Sequence, residues 1–204
     1  MLKKYLYLFK KRLFWKTINI FTLFHIYKLF GQLNQFSYVL IKKSPNFPFL
    51  TIGNDFDIFV TDLDKFSEFI IGNYKVNKKF KTTKTELSQN HVQVDLFYKN
   101  KFLYKFDLYR HLYESKVYNK SFIQAVLESK KLETFNFFKS FQLFVPSKEM
   151  NILIRLFELY LNPHKEHHRK ILMSYKDDNL NEVYKNLDIY SKIDLSPLLK
   201  ELYD

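Results

Sequence analysis

The stretch Ile52-Gly53-Asn54-Asp55-Phe56-Asp57-Ile58-Phe59-Val60 places two carboxylates two residues apart on an apolar, β-prone run. Side chains at i and i+2 of a strand share a face, so Asp55 and Asp57 emerge together while Phe56 and Ile58 turn the other way. Two like charges held beside a core are costly unless a cation neutralises them. Carboxylate oxygens are hard ligands that suit Mg2+ (or Mn2+), which binds through one or two such groups plus the phosphates of a substrate. The competing reading is a turn at Gly53-Asn54-Asp55 whose acids are merely solvated at a strand edge. The apolar run that follows argues against it.

A third carboxylate comes from a hairpin. His91–Tyr98 and Lys101–Leu108 are strongly β-prone runs around the two-residue connection Lys99-Asn100. An uninterrupted ladder pairs position 92 with 107. Asp107 then shares a face with Val92, Val94 and Leu96, and Asp95 lies on the opposite face with Phe97, Phe102, Tyr104 and Phe106. Only one of the two acids joins Asp55 and Asp57 in that register. Asp107 is preferred because no aromatic crowd stands beside it, and a one-residue slip reverses the choice. Three carboxylates on a small sheet suffice to hold two divalent cations about 4 Å apart and to stabilise in-line attack on a phosphoryl group.

The elements that must position these residues follow from periodicity. Residues 36–41 and about 49–60 read as strands, and Asp62–Ile71 as a helix with Leu63, Phe66, Phe69 and Ile70 on one stripe and Asp62 at its cap. A lysine-rich stretch over 73–90 has room for a strand and a loop. From about 117 the chain turns helical, interrupted by an extended run at 141–145. Ser147 has N-cap chemistry for a helix through Ile152, Leu153, Leu156, Phe157 and Tyr160. Asn162-Pro163 separates it from a basic helix with His164, His167 and His168. Shorter helices follow near Asp178 and at Ser196-Pro197. The expected fold is α+β (α/β): a small mixed-sheet core over residues 31–115, a helical C-terminal region over 116–204 and a basic amphipathic helical segment over 1–30.

The 204 residues carry a net charge of +12, and seven of those charges (Lys3, Lys4, Lys10, Lys11, Arg12, Lys16, Lys28) fall in the first thirty positions, which hold no acid. That segment can lie on an anionic membrane surface, or pack its apolar face on the domain and leave its lysines in water. Charge of this sign also raises nucleic acid as a partner, the less favoured of the two here. No run of about eighteen uncharged apolar residues occurs. The segment lacks the clean apolar stretch and cleavage site of a secretory signal, so a cytoplasmic, membrane-peripheral location is the expectation. Cysteine is absent, which excludes disulfides, cysteine-ligated zinc and thiol catalysis.

The Ile52–Val60 stretch resembles the signature of the nucleotidyltransferase (DNA polymerase β-like) superfamily, and looks closest to small nucleotidyltransferases of bacterial surface-polysaccharide gene clusters. Lys105-Phe106-Asp107-Leu108-Tyr109 is similar to that family's third-carboxylate strand, and Phe144-Val145-Pro146-Ser147 leads into a helix as in the family. The resemblance spans roughly residues 36–175. It implies Mg2+-dependent transfer of a nucleoside monophosphate from an NTP to a small-molecule or glycan-precursor acceptor. Asp55 and Asp57 would bind both metals, and Asp107 would complete the site and help the acceptor oxygen lose its proton. Where most members carry a Gly-Ser pair for the triphosphate, this chain has Lys42-Lys43-Ser44-Pro45. Ser44 and the two lysines, with Gly53, are the candidate nucleotide-binding residues. A related branch, the LicD-like and fukutin-like transferases of alditol-phosphate or phosphocholine, offers Val94-Asp95-Leu96-Phe97 as its match and moves the third role to Asp95. A fold that has lost nucleotide binding and serves as a membrane- or RNA-associated module is the non-catalytic alternative.

Arg110 and His111 follow the third carboxylate and fit solvated surface better than phosphate contacts. The histidines at 164, 167 and 168 have a spacing that zinc can use, although a solvated basic face is simpler. Arg155, inside an apolar helix, calls for a carboxylate such as Glu158 or Asp107.

Overall fold

Burial alternates without a break along His91–Tyr98, with even-numbered residues buried and odd-numbered ones half-buried, the pattern of a strand with one covered and one open face. In the computed structural model, which describes residues 25–42, 47, 52–75, 78–111, 116–136, 140–175 and 180–203, this strand belongs to a five-stranded mixed sheet. The strands are β1 (Tyr38–Lys42), β2 (Asp55–Val60), β3 (Phe80–Ser88), β4 (His91–Tyr98) and β5 (Lys101–Tyr109), in the order β1-β2-β5-β4-β3. β2 and β5 run parallel at the centre, and the other neighbours are antiparallel. Helix α1 (Leu63–Lys75) follows β2, and Asp62 accepts the Lys65 N–H at its start at 3.1 Å, as its cap position predicts.

The first face of the sheet is apolar. Phe56, Ile58, Val94, Leu96, Tyr104, Phe106 and Leu108 pack there against Leu63, Phe66, Ile70 and Tyr74 of α1. The same core takes in Ile26, Leu29 and Phe30 from the helical residues 25–30, so this end of the basic segment is core-facing. The expectation for residues 1–24, including contact with lipid, lies outside the described residues.

A two-stranded hairpin, β6 (Lys131–Asn136) with β7 (Ser140–Val145), adds Phe135, Phe141 and Leu143 to this core. Of its two strands only β7 stands out in the sequence; β6, Lys-Leu-Glu-Thr-Phe-Asn, is too polar to announce itself.

The second face is covered by helices only in part. α2 (Ser121–Glu128), α3 (Lys148–Leu161), α4 (Glu166–Met173), α5 (Asn181–Tyr190) and α6 (Ser196–Tyr203) form a second core with Val39 and Ile41 of β1 and Phe59 of β2. Ser147 caps α3 by accepting the Met150 N–H. Beyond Phe59 the second face turns polar across β2, β5 and β4, and the charged residues collect on that uncovered part. Among the described residues no helix is long and apolar enough to cross a membrane.

Candidate functional site

Strand pairing turns the sequence spacing into rows of side chains. Asp57 stands opposite Asp107 in the parallel β2–β5 ladder. Lys42 on one side of that pair and Gln93 on the other extend it, so Lys42, Asp57, Asp107 and Gln93 form one row across four strands. The adjacent row on the same face reads Asp55, Lys105, Asp95 and Thr83. Each row mixes acids with an ammonium group, but Asp57 neighbours both Asp107 and Asp55; Asp55 is exposed, Asp57 half-buried and Asp107 buried, with Tyr109 and His91 in the row nearest the helices.

This placement corrects the hairpin register. The turn is as expected: Lys99 and Asn100 both adopt positive φ, 48° and 61°, which a tight two-residue connection requires. The ladder then slips, because Phe97 pairs with Phe102 but Leu96 pairs with Tyr104. The extra residue, Leu103, is fully buried, and its carbonyl accepts the Gly53 N–H at 2.6 Å. A bulge of this kind inverts every later side chain relative to an uninterrupted ladder. Asp107 is thus opposite Gln93 rather than beside Val92, Val94 and Leu96, and Asp95 shares its face instead of occupying the other one. The two acids do not exclude each other.

The ammonium groups sit between the carboxylates. Lys105 Nζ is 3.0 Å from Asp107 Oδ2 and 3.3 Å from Asp55 Oδ2, and His91 Nε2 is 3.2 Å from the other oxygen of Asp107. Lys42 Nζ is 3.2 Å from Asp57 Oδ2 and 3.1 Å from Glu158 Oε1, and Tyr109 donates its hydroxyl to Asp57 Oδ1 at 3.2 Å. Asp95 accepts from Gln93 Nε2 at 2.9 Å. His91 stacks on Tyr109 with ring centroids 4.3 Å apart, so each ring fixes the other and its polar tip.

Burial opposes the charge of Lys42, yet Asp57 and Glu158 outweigh it and hold the ammonium above its ordinary value. Lys105 is raised in the same way, with burial overcome by Asp107 and Asp55. Asp57 is also raised: it loses more hydration than Lys42 restores, and it feels Asp107 and Glu158 as like charges. The two directions at the Lys42–Asp57 pair are compatible, because the ammonium has two carboxylates and the carboxylate has one ammonium among several acids.

Glu158 ties the helices to this site. It is fully buried on α3 and lies near His168 Nε2 (3.4 Å) and Lys165 (3.7 Å) as well as Lys42. His168 also meets the Arg155 guanidinium at 3.4 Å through Nδ1. Burial lowers the pKa of Arg155, against the pull of Glu158 and Asp57. Arg155 thus feels the charge of Glu158 on the same helix, while its guanidinium contact is with His168. His164 and His167 are exposed, as a solvated basic face requires, whereas His168 is 1% exposed and points inward, and His164 precedes α4. Arg110 is exposed, as expected.

Of the candidate nucleotide-binding residues, Lys42 reaches the carboxylates, and Lys43 and Ser44 lie outside the described residues. Gly53 has φ +95° and pins the start of β2 to the Leu103 bulge, a conformational role. Sequence reasoning missed Lys105, His91, Tyr109 and Glu158. The period-2 spacing of Lys105, Asp107 and Tyr109 carried a signal for two of them. Nothing local marks Glu158, 116 residues from Lys42.

Three carboxylates on one face are hard oxygen donors of the type a divalent cation takes, and two of them converge on a single cationic atom, Lys105 Nζ. Among the described residues no group of three acids or histidines is gathered to hold a metal in this arrangement; the ammonium groups neutralise the acids instead. No family model matches the chain, and no curated protein matches it in sequence.

Proposed function

We propose that this protein is a Mg2+-dependent nucleotidyltransferase, moving a nucleoside monophosphate from an NTP to a hydroxyl or phosphate of a small-molecule or glycan-precursor acceptor. The observation that carries the reading is the in-register pair Asp57–Asp107, flanked by the exposed Asp55, on the polar face of the sheet. Acids arranged this way beside raised lysines suit a reaction whose main demand is positioning and charge neutralisation around phosphoryl oxygens.

Asp55, Asp57 and Asp107 would hold the cation, which when bound neutralises charge on the phosphoryl oxygens and aligns the attacking oxygen. Lys42, kept protonated by Asp57 and Glu158, offers N–H donors to a phosphate near the β1 end of the site. Asp107 accepts a proton from the acceptor hydroxyl. His91 holds one oxygen of that carboxylate and thereby fixes the orientation of the other. Tyr109 does the same for Asp57.

Thermal melts with ATP, CTP, GTP and UTP, each with and without Mg2+, test this. Stabilisation by at least one nucleotide only when Mg2+ is present, lost in Asp57→Asn, is the expected result. No nucleotide effect under any condition would overturn it in favour of a non-catalytic membrane- or RNA-associated module.

The position of Asp95 supports a second reading, transfer of an alditol-phosphate or phosphocholine group to a glycan, because this acid shares the face of Asp55, Asp57 and Asp107. Asp95→Asn separates the two. The nucleotidyltransferase reading expects Mg2+-dependent nucleotide stabilisation to survive it and to be lost in Asp107→Asn.

A further inference from the structure

Arg155 on α3 is only 5% exposed, and among the described residues its guanidinium has one hydrogen-bonding contact, His168 Nδ1 at 3.4 Å. Its Nε–H has no acceptor among them. A buried cation in this condition is costly, because a guanidinium gives up water at five N–H groups and one long contact restores little of it. The same side chain lines a cavity of about 390 Å3 between β1, the β6–β7 hairpin, α3 and the end of α4. That volume falls in the range of small-molecule sites.

The lining around Arg155 is built for a negative group on an apolar body. Lys148, Asn151 and Arg155 are spaced to share one face of α3. Asn151 donates its side-chain amide to the Tyr175 hydroxyl at 2.9 Å, which leaves that hydroxyl its own hydrogen to donate. Leu40, Ile41 and Ile171 supply apolar wall. Of the charged lining residues, Lys131, Lys148 and Arg155 are cations and Glu133 is the acid. Glu149, outside the lining, feels both lysines and balances them in part, so Arg155 is the cation that lacks a carboxylate contact among the described residues.

We infer that this cavity binds a small organic anion, its carboxylate or phosphate group held by the Arg155 guanidinium and the Tyr175 hydroxyl and its apolar body against Leu40, Ile41 and Ile171. A planar guanidinium matches such an oxyanion at two points, and the anion supplies the charge and acceptors that burial withholds. None of the aspartates on the sheet lines the cavity, so the site needs neither metal nor nucleotide and is independent of the proposed function.

The chain has four arginines, Arg12, Arg110, Arg155 and Arg169, so the Nε–Hε region of a 1H–15N spectrum is simple. Arg12→Lys, Arg110→Lys and Arg169→Lys assign three signals and leave the fourth to Arg155, with the buried residue untouched. Benzoate and phenyl phosphate present the two head groups on one apolar body, and benzyl alcohol is the uncharged control. At constant ionic strength, millimolar benzoate or phenyl phosphate is predicted to move the Arg155 signal saturably and leave the other three in place. The head group that binds more tightly identifies the class of ligand. Calorimetry with that anion is predicted to give several-fold weaker binding to Lys131→Met and several-fold tighter binding to Glu133→Gln, because the two changes shift the charge facing the cavity in opposite directions. Lys185→Met, whose lysine pairs with Glu182 outside the cavity, leaves the affinity unchanged.

An Arg155 signal unmoved by both anions, or moved as far by benzyl alcohol or by sodium chloride, would overturn the site. Where that signal is lost to exchange with water, calorimetry decides: no binding of either anion, or equal affinities in Lys131→Met and Glu133→Gln, is the overturning result.

Discussion

Asp57 bears its negative charge against its surroundings, and pH acts on the site there. Its carboxyl holds a proton more tightly in the fold than in the unfolded chain, where its value is near 3.8. The stability from that proton is therefore present below the ordinary aspartate value and is lost as pH rises through the raised one. In metal-free protein, Asp57→Asn is predicted to remove this decline, so its melting temperature gains on the unaltered protein across that window. For a chain of this size a difference of about 1 kcal/mol appears as about 2–4 °C. Melting curves in chelator between pH 4 and 7 check it, and a gap that shrinks with rising pH contradicts it. On the proposed function, Mg2+ and nucleotide reverse the order, because the carboxylate then has a ligand to hold.

At the scale of elements, the strand that carries Asp55 and Asp57 was legible because period-2 alternation beside aromatic residues has few other readings. The parallel neighbour supplying Asp107 was also legible, through Lys-Phe-Asp-Leu-Tyr. The register between hairpin strands was not. Leu103 and Tyr104 are both fully buried, and no local feature of Phe102-Leu103-Tyr104 says which residue the bulge absorbs. The decision comes from Gly53, whose N–H reaches the Leu103 carbonyl from the turn before β2. Gly53→Ala therefore strains the turn that secures the bulge. A Cβ there meets nothing within 4 Å, so the cost is conformational, about 1–2 kcal/mol. Urea unfolding should show a lower midpoint at unchanged slope, and an unchanged midpoint would show that the left-handed turn carries no weight.

Across the whole molecule, the sheet and the helices meet through a buried charge. Glu158 on α3 faces Lys42 from β1 and His168 and Lys165 beside it, so the helices fix the lysine that neutralises Asp57. Removing one partner of a buried ionic network leaves the others uncompensated, at about 3–5 kcal/mol. Glu158→Ala is predicted to lower the unfolding free energy by that amount, measured by urea titration, whereas a loss below about 1 kcal/mol would mean water already serves Lys42. This long-range pairing was invisible in sequence, since it joins residues whose only relation is where the helices pack. The net charge of +12, by contrast, is plain in the sequence and located nothing, because the site itself carries both signs.

The proposed function requires Asp55, Asp57 and Asp107 to gather a divalent cation on the polar face of the sheet. Anomalous diffraction from crystals soaked in Mn2+ with a non-hydrolysable nucleotide tests it most directly. A peak within about 2.2 Å of carboxylate oxygens from both Asp57 and Asp107 is the expected result. Lys105 still seated between Asp55 and Asp107, with no peak beside them at millimolar Mn2+, would contradict it.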